Sequence, residues 1–187
     1  MNRTAIRRTA AALLTAGIGT ATLGAVPASA GAAAPTYQGR VVSSTSLVQR
    51  VAPSTHLPAA GTALRRGTVV SIDCQLNGTV VGGNQRWYKI RGRDAWISAR
   101  YVANVGPAPV ACTRGDWAYE VAVGTRIRRG PSTADAAIGS LARGTEVGTR
   151  WYTTRGQAVD GNRRWIAVET PNGNRGWISA TNLRLVG

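Results

Sequence analysis

One tetrapeptide, Trp-Ile-Ser-Ala, occurs twice in this chain, at residues 96–99 and again at residues 177–180. Two further matched blocks precede the copies in the same order: residues 50–55 and 81–87 before the first, and residues 128–133 and 159–165 before the second. The upstream blocks are offset by 128 − 50 = 78 residues and the tetrapeptides by 177 − 96 = 81. A unit of this length is too long for a solenoid repeat, so the pattern predicts two small domains of one kind in tandem.

The first 30 residues predict a cleaved signal peptide. Arg3, Arg7 and Arg8 form a positively charged start, an uncharged stretch follows at residues 9–26, and Ala28-Ser29-Ala30 supplies a cleavage signal. Threonines and glycines make the stretch too weakly apolar to be a stable membrane anchor. Twin-arginine export stays open, but alanines and a threonine follow Arg8, which favours general secretion. We therefore expect a secreted, extracellular or wall-associated protein whose mature form has no transmembrane segment.

The chain is strongly basic, with 23 Lys and Arg against 8 Asp and Glu and a formal net charge of +15. Removing the three arginines of the signal peptide leaves 20 − 8 = +12. Such a charge attracts polyanions such as wall polymers, nucleic acid or acidic lipid surfaces. A GC-rich genome also favours arginine over lysine, and the arginines are dispersed along the chain. Because no dense basic tract or RNA-binding motif occurs, we expect no specific nucleic-acid partner.

Two cysteines, Cys74 and Cys112, predict an intramolecular disulfide, because an even number of cysteines in an exported chain is typical of oxidised pairs. Closing a loop of 112 − 74 = 38 residues contributes about 4 kcal/mol to stability, less any strain. A catalytic thiol or a metal-ligand pair is the alternative. His56 is the only histidine and no Cys-x-x-Cys spacing occurs, which disfavours both. We therefore expect no metal and no cofactor.

Short apolar runs separated by turn signals, without a sustained helical period, predict an all-β fold. The predicted strands are residues 41–42, 68–76, 87–90 and 95–98 in the first copy, and residues 146–153, 165–168 and 175–179 in the second. Asn77-Gly78 and Gly82-Gly83-Asn84 are turn signals, and we assign both to the hairpin connection between the second and third strands.

Strand alternation predicts which side chains face inward. One face of the second strand carries Val70, Ile72, Cys74 and Leu76, and its counterpart carries Val147, Thr149, Trp151 and Thr153. Cys74 and Trp151 each stand seven residues after a glycine, so the disulfide is expected to occupy the position that an indole fills in the second copy. Thr149 places a hydroxyl where Ile72 has a methyl group, and the sequence offers no partner for it.

The same motifs in the same order resemble the bacterial SH3-like (SH3b) domain, in the variant common in secreted proteins of filamentous actinobacteria. In the first copy the matching segments are 47–55, Gly67-Thr68, 87–90 and 96–98. In the second copy they are 127–133, 143–145, 165–168 and 176–178, and the match is closer. The resemblance implies two tandem small five-stranded barrels after the signal peptide. We accordingly divide the mature chain into a short tail (31–36), a first domain closed by the disulfide (37–113), a linker (114–118) and a second domain (119–187).

The resemblance also implies a function, since such domains bind cell-wall material and are often joined to wall hydrolases. With one histidine and eight scattered acidic residues, the chain shows no catalytic motif, so we do not expect an enzyme. The expected partner is a cell-wall polymer, either peptidoglycan or an associated anionic polymer, bound by a monomer. Two alternatives remain, a secreted module that binds a peptide or protein and an accessory of a wall hydrolase, because a fold alone does not fix function.

Five residues are candidates for ligand binding: Trp87, Tyr101, Trp165, Arg128 and Arg50. The two tryptophans follow Gly-Asn-x-Arg at the mouth of a hairpin, where we expect a half-exposed indole. Tyr101 resembles the aromatic residue that closes the family's barrel beside its groove. An aromatic ring stacks on a sugar face and an arginine pairs with carboxylate or phosphate, which suits wall polymers. The alternatives are that the rings cover the barrel end and that the arginines brace the first loop.

Two departures from the family pattern affect the first copy. Ala52 replaces the glycine before Pro53, and one extra residue lies between Pro53 and Gly67. We therefore expect a different turn and an altered or missing groove there. The tryptophans of the repeated tetrapeptide, Trp96 and Trp177, are expected to be core residues rather than ligand contacts.

Overall fold

Two antiparallel sheets, one from each half of the sequence, organise the chain. The computed structural model describes residues 36–114, here called the first module, and residues 118–186, the second module. The predicted signal peptide, residues 31–35 of the predicted tail and residues 115–117 of the predicted linker lie outside the described residues. The all-β prediction is confirmed: within 36–114 and 118–186 the helical segments are two short 3₁₀ turns. None of these is long and apolar enough to span a membrane.

The first module contains a five-stranded sheet in the order β4-β3-β2-β1-β5. Its strands are β1 (Tyr37–Val41), β2 (Val69–Val81), β3 (Asn84–Ile90), β4 (Trp96–Ser98) and β5 (Val102–Val105), and a 3₁₀ turn (Ala99–Tyr101) joins β4 to β5. The long segment between β1 and β2 forms isolated bridges rather than strands, including Leu47 with Leu64 and Arg50 with Trp96.

The second module contains a seven-stranded sheet in the order β12-β6-β9-β10-β11-β7-β8. Its strands are β6 (Ala118–Val121), β7 (Thr125–Arg128), β8 (Ala137–Leu141), β9 (Glu146–Thr153), β10 (Trp165–Glu169), β11 (Arg175–Ser179) and β12 (Leu183–Leu185), with a 3₁₀ turn (Ala180–Asn182) before β12. Arg128 pairs with Trp177 as Arg50 pairs with Trp96, so the repeat extends to the strand pairing.

Each module buries its own aliphatic core, but the prediction that alternate residues of β2 and of β9 all face that core was wrong. Along β2, residues 70, 72, 74 and 76 are buried, and the residues between them are partly exposed. Ile72 and Ile97 belong to the core of the first module, and Ile166 and Ile178 belong to that of the second. Irregular pairing between Ile72 and Cys74 in β2, and between Thr149 and Trp151 in β9, turns Cys74 and Trp151 away from these cores.

A third cluster, the shared cluster, joins the two modules. Its buried members are Cys74, Leu76, Trp87, Trp96 and Cys112 from the first module, and Trp165, Ala167 and Trp177 from the second. The ring of Trp96 meets that of Trp151 edge-on, with centroids 6.3 Å apart. The indole Nε1 of Trp177 donates a hydrogen bond to the carbonyl oxygen of Asn77 at 2.9 Å. The tryptophan of each tetrapeptide thus reaches the long strand of the other module.

The prediction that Trp96 and Trp177 are core residues is confirmed, because each is 1% exposed. They are buried between the modules, however, and not among the aliphatic side chains of their own sheets. Successive side chains on a strand point to opposite faces, so Ile97 and Ile178 fill the module cores while the preceding tryptophans face the other module.

The predicted disulfide between Cys74 and Cys112 is present, with Cα atoms 4.9 Å apart. The segment that carries Cys112 lies along β2, where Gln75 hydrogen-bonds through its amide to Val110 and through its carbonyl to Cys112. Cys74 lies opposite Lys89 and Trp151 opposite Ala167, which are matched positions (167 − 89 = 78). The predicted equivalence of the disulfide and the indole is therefore confirmed.

The assignment of Asn77-Gly78 to the hairpin connection was wrong. Both residues lie within β2, whose pairing with β3 shifts register between Asn77 and Val81. The chain turns instead at Gly82 and Gly83, whose φ angles of 52° and 79° favour glycine. Gly78 is small for another reason: a Cβ there would overlap the carbonyl oxygen of Pro53 and lie 2.7 Å from Cδ1 of Trp87.

Candidate functional site

A hydroxyl-rich groove of about 240 Å³ lies in the first module beside the 3₁₀ turn. Its lining includes the segment Ser43-Ser44-Thr45-Ser46, together with Val48 and Ser98. Three of the five predicted ligand residues, Arg50, Trp87 and Tyr101, line the same groove. The structure therefore brings the candidates of the first copy together.

Backbone hydrogen bonds hold both walls of the groove. The amide of Val42 donates to the carbonyl of Tyr101 at 2.9 Å, and Leu47 pairs with Leu64 at 2.8 Å, so the segment 43–46 is tied at both ends. Ser98 caps the 3₁₀ turn by accepting from the amide of Arg100 at 3.3 Å. The ring of Tyr101 remains 37% exposed, and it is available to contact a ligand.

The expectation that Trp87 and Trp165 are half exposed was wrong, because each is 2% exposed. Their Nε1 atoms donate to the carbonyls of Thr79 at 2.9 Å and Gln157 at 2.7 Å. The matched glycines at 78 and 156 allow this burial, since a Cβ at either would overlap the indole. Trp87 therefore contributes only part of its surface to the groove lining.

Arg50 and Arg128 each brace the loop that follows them. The Nη1 atom of Arg50 donates to the carbonyl of Leu57 at 2.8 Å, and that of Arg128 donates to the carbonyl of Asp135 at 2.9 Å. Both acceptors stand seven residues beyond the arginine. The bracing role left open in the sequence is present in both modules, and Arg50 additionally lines the groove.

In the second module, a shorter segment and a side-chain hydrogen bond occupy the position that corresponds to the groove. Ala122 pairs with the carbonyl of Asn182 as Val42 pairs with that of Tyr101. Only two residues then precede Thr125, whereas four, 43–46, precede Leu47. The side-chain amide of Asn182 donates to Thr125 Oγ1 at 2.8 Å. Trp165 and Arg128 consequently have no exposed ring beside them that corresponds to Tyr101.

The expectation that Ala52 gives a different turn was wrong, and the groove expected to be altered or missing is present in the first module. Ser54 donates to the carbonyl of Ala52 at 2.7 Å, and Ser132 donates to that of Gly130 at 2.9 Å, which is the same turn. Glycine is needed in the second module for space, because a Cβ at residue 130 would overlap the carboxylate of Asp135. The sequence pattern alone does not distinguish a glycine needed for its backbone conformation from a glycine needed because a side chain would not fit.

Sequence reasoning missed a buried polar contact between the modules. The side chain of Asp135 is fully buried, and its Oδ1 lies 3.0 Å from Nδ1 of His56. The same oxygen accepts a short hydrogen bond from Oγ1 of Thr79. The matched position in the first module is Leu57 (135 − 57 = 78). A carboxylate replacing an apolar residue between repeats was the signal available in the sequence.

The acidic groups of the described residues are dispersed, and no three His, Cys, Asp or Glu side chains within 36–114 and 118–186 gather as metal ligands. Glu169 lies between Arg150 and Arg175. Its burial raises the pKa, but hydrogen bonds and charge from the two arginines outweigh burial, and the pKa of Glu169 lies below its ordinary value. Glu169 is therefore ionised at neutral pH and partly neutralises this pair of arginines.

No protein-family profile matches the chain, and no curated protein matches it. Solved structures that align with it include NlpC2 from Trichomonas vaginalis, at 18% identity and a TM-score of 0.30 over 80% of this chain and 48% of that one. NlpC1 from the same organism aligns at 17% identity and a TM-score of 0.31, over 80% of this chain and 46% of the other. The chain thus spans about half the length of these structures. Identity and TM-scores this low carry no argument about function, and the SH3-like resemblance remains an interpretation of the sequence motifs.

Proposed function

We propose that this protein is a secreted, non-catalytic protein that binds a cell-wall polymer, peptidoglycan or an associated anionic polymer, in the groove of the first module. The observation that supports this most is the gathering of the hydroxyl segment 43–46, the exposed ring of Tyr101 and Arg50 in one groove. Hydroxyl groups donate and accept hydrogen bonds, and an amphipathic ring packs on the apolar face of a sugar.

The chemistry of the lining supports binding rather than catalysis. Hydrolysis of a glycan or peptide bond uses a positioned acid, base or nucleophile–base pair. The described lining residues of the groove include serines, threonines, Arg50 and Tyr101, but no carboxylate, histidine or cysteine. Groups of this kind hold a polar ligand without providing a proton donor matched to neutral pH.

The test compares Tyr101→Ala with the parent in a pulldown on purified wall sacculi. At ~150 mM salt, where exposed charges are screened beyond ~8 Å, the loss of the ring should weaken retention about ten-fold, equivalent to roughly 1.4 kcal/mol. Leu185→Ala is the matched control, because Leu185 is 59% exposed on the other module. Equal retention of the parent and the folded Tyr101→Ala variant would refute the groove assignment.

A peptide or protein partner is the second candidate, because Val48, 40% exposed, adds an apolar side chain to the rim beside Tyr101. Pulldowns on sacculi without stem peptides, and on sacculi without anionic glycopolymers, distinguish a polymer ligand from a peptide ligand. Retention that survives both treatments assigns the glycan strand. Retention lost only with the stem peptides assigns a peptide, and then the role of a hydrolase accessory becomes the better description.

A further inference from the structure

We propose that the protein has a second binding site, an arginine-lined trough between the modules that takes an extended, hydroxyl-bearing polyanion. The proposal rests on the proposed function only for the origin of this polymer, a wall glycopolymer. The trough itself is separate from the hydroxyl-rich groove. It is defined by Asn77, Gln85, Arg86, Arg100, Arg129 and Arg175.

The trough consists of three adjoining cavities with volumes of about 310, 690 and 360 Å³. Gln85 lines all three of them. Arg86 is shared by the first and second, and Arg129 by the second and third. A run of connected cavities of this size suits a polymer chain better than a single small molecule.

The charge in the trough is strongly positive. Arg86, Arg100 and Arg129 have no carboxylate partner among the described residues. Arg150 and Arg175 also line it and share Glu169, which gives a local charge of 5 − 1 = +4. None of the described residues lining the three cavities is acidic. Unpaired guanidinium groups favour carboxylate or phosphate, which they bind through parallel hydrogen bonds.

Both modules are required to form the trough. Nη1 of Arg129, in the second module, donates to Oε1 of Gln85, in the first, at 3.3 Å. Trp177, which is hydrogen-bonded to Asn77 across the shared cluster, lines the 310 Å³ cavity with its buried edge. The packing of the modules therefore aligns arginines from β3 and from the loop after β7. Neither module alone supplies the complete row.

Amide side chains in the trough favour a ligand that also donates hydrogen bonds. Asn77 and Gln85 line the 310 and 360 Å³ cavities together with Arg175. The oxygen of an amide side chain accepts hydrogen bonds. Ionised phosphates and carboxylates only accept, whereas a hydroxyl donates. A chain that carries both anionic and hydroxyl groups therefore suits the arginines and the amides together.

The test measures binding of the full chain to soluble polymers by isothermal titration calorimetry at several salt concentrations. The probes are polygalacturonate, poly(glycerol phosphate), polyphosphate without hydroxyls, neutral dextran and single-stranded oligothymidylate. We expect at least one of the first two to bind and dextran not to bind. Comparing polygalacturonate with poly(glycerol phosphate) shows whether the trough prefers carboxylate or phosphate groups.

Arg86→Gln combined with Arg129→Gln should weaken polyanion binding about ten-fold or more and reduce the log–log salt slope by about two, one for each lost contact. The matched control is Arg66→Gln with Arg143→Gln, which removes the same charge from exposed turns outside the trough. Polyphosphate should bind more weakly than the glycopolymers, because it has no hydroxyl to donate to the amide side chains. Equal losses in the two arginine pairs would show that net charge alone drives binding and would overturn the proposal.

Two further outcomes are decisive. Tighter binding of oligothymidylate than of either glycopolymer, lost in the Arg86/Arg129 variant, would assign the trough to nucleic acid and overturn the proposed ligand. Retention of sacculi binding in that variant, with soluble polyanion binding lost, would support the trough and leave the groove function intact. Tyr101→Ala removes the ring that lies 6.0 Å from the guanidinium of Arg100, but it leaves Arg86 and Arg129 in place, so failure of the groove and failure of the trough give different results.

Discussion

The two modules share the interactions that hold their folds but differ at the residues they present to each other and to ligands. Both have a bracing arginine and a buried indole that donates a hydrogen bond to a backbone carbonyl. At the end of the braced loop, however, the first module packs Leu57 against Val51 and Ala52. The second module buries Asp135 there and makes room for it with Gly130. At this position, divergence after duplication has replaced an apolar contact within one module by a polar contact between modules.

In the shared cluster, by contrast, the repeated residues are preserved, and the repeated tryptophan of each module contacts the other module. Trp96 meets Trp151 on β9, and Trp177 donates to Asn77 on β2. Small domains have marginal cores, and this packing buries two indoles that a separated module would expose. The repeated tetrapeptide thus encodes both a strand of each module and the contact between modules.

The largest expected effect tests that reciprocity. Trp96→Ala and Trp177→Ala should each lower the free energy of unfolding by about 3–5 kcal/mol, the range for truncating a buried indole. Trp177→Ala also leaves the carbonyl of Asn77 without its donor. Denaturant unfolding of both variants against the parent measures the change. A loss below about 1 kcal/mol in either would show that the indole contributes little to holding the modules together.

The next effect concerns the position at which the first module has the disulfide and the second module has Trp151. Replacing Cys74 and Cys112 by alanine should lower the free energy of unfolding by about 2–4 kcal/mol, because the 38-residue loop is no longer closed in the unfolded chain. The comparison is between oxidised parent, reduced parent and the double variant in denaturant. If the oxidised parent is no more stable than the double variant, the shared cluster and not the bridge fixes the end of the first module.

The strands that could be predicted from sequence are those that contain several buried side chains. Glu146–Thr153 and Arg175–Ser179 have the bounds expected from the pattern. Strands β5, β6, β7, β8 and β12 were not predicted, since they are short and each has at most one buried side chain. Their pairing depends on partners distant in sequence, which no local period reveals.

The site was predictable in part. Motif positions identified Arg50, Trp87 and Tyr101, and the structure brings all three to one groove. The burial of Trp87 was not predicted, because it depends on Gly78 approaching from the neighbouring strand. The contact between His56 and Asp135 joins residues 79 positions apart. A contact of that kind follows from how the modules pack, which a comparison of repeats does not show.

A smaller effect tests the polar contact that distinguishes Asp135 from Leu57. Asp135→Asn should lower the free energy of unfolding by about 1–3 kcal/mol, because Thr79 and His56 lose a charged, buried acceptor. Asp160→Asn is the matched control, since it removes the same charge from an exposed turn whose φ of 48° asparagine tolerates.

A double-mutant cycle with Thr79→Val separates this contact from a general effect of charge. We expect a coupling energy of at least about 0.5 kcal/mol between positions 79 and 135, as for residues in direct contact. Additive changes would mean that Asp135 acts on the fold through its loop alone and not through the first module.

The smallest effect has the opposite sign and lies at the position where Thr149 stands in place of Ile72. The hydroxyl of Thr149 is buried, and it has no hydrogen-bond partner among the described residues. Thr149→Val removes the hydroxyl at nearly constant shape and should raise the free energy of unfolding by about 1 kcal/mol. Thr153→Val is the control on the same strand, because the hydroxyl of Thr153 accepts from the amide of Arg155 at 3.1 Å and its loss should destabilise the protein. If Thr149→Val also destabilises the protein, the hydroxyl has a hydrogen-bond partner such as a buried water. The second module then tolerates the polar residue because its hydroxyl is hydrated.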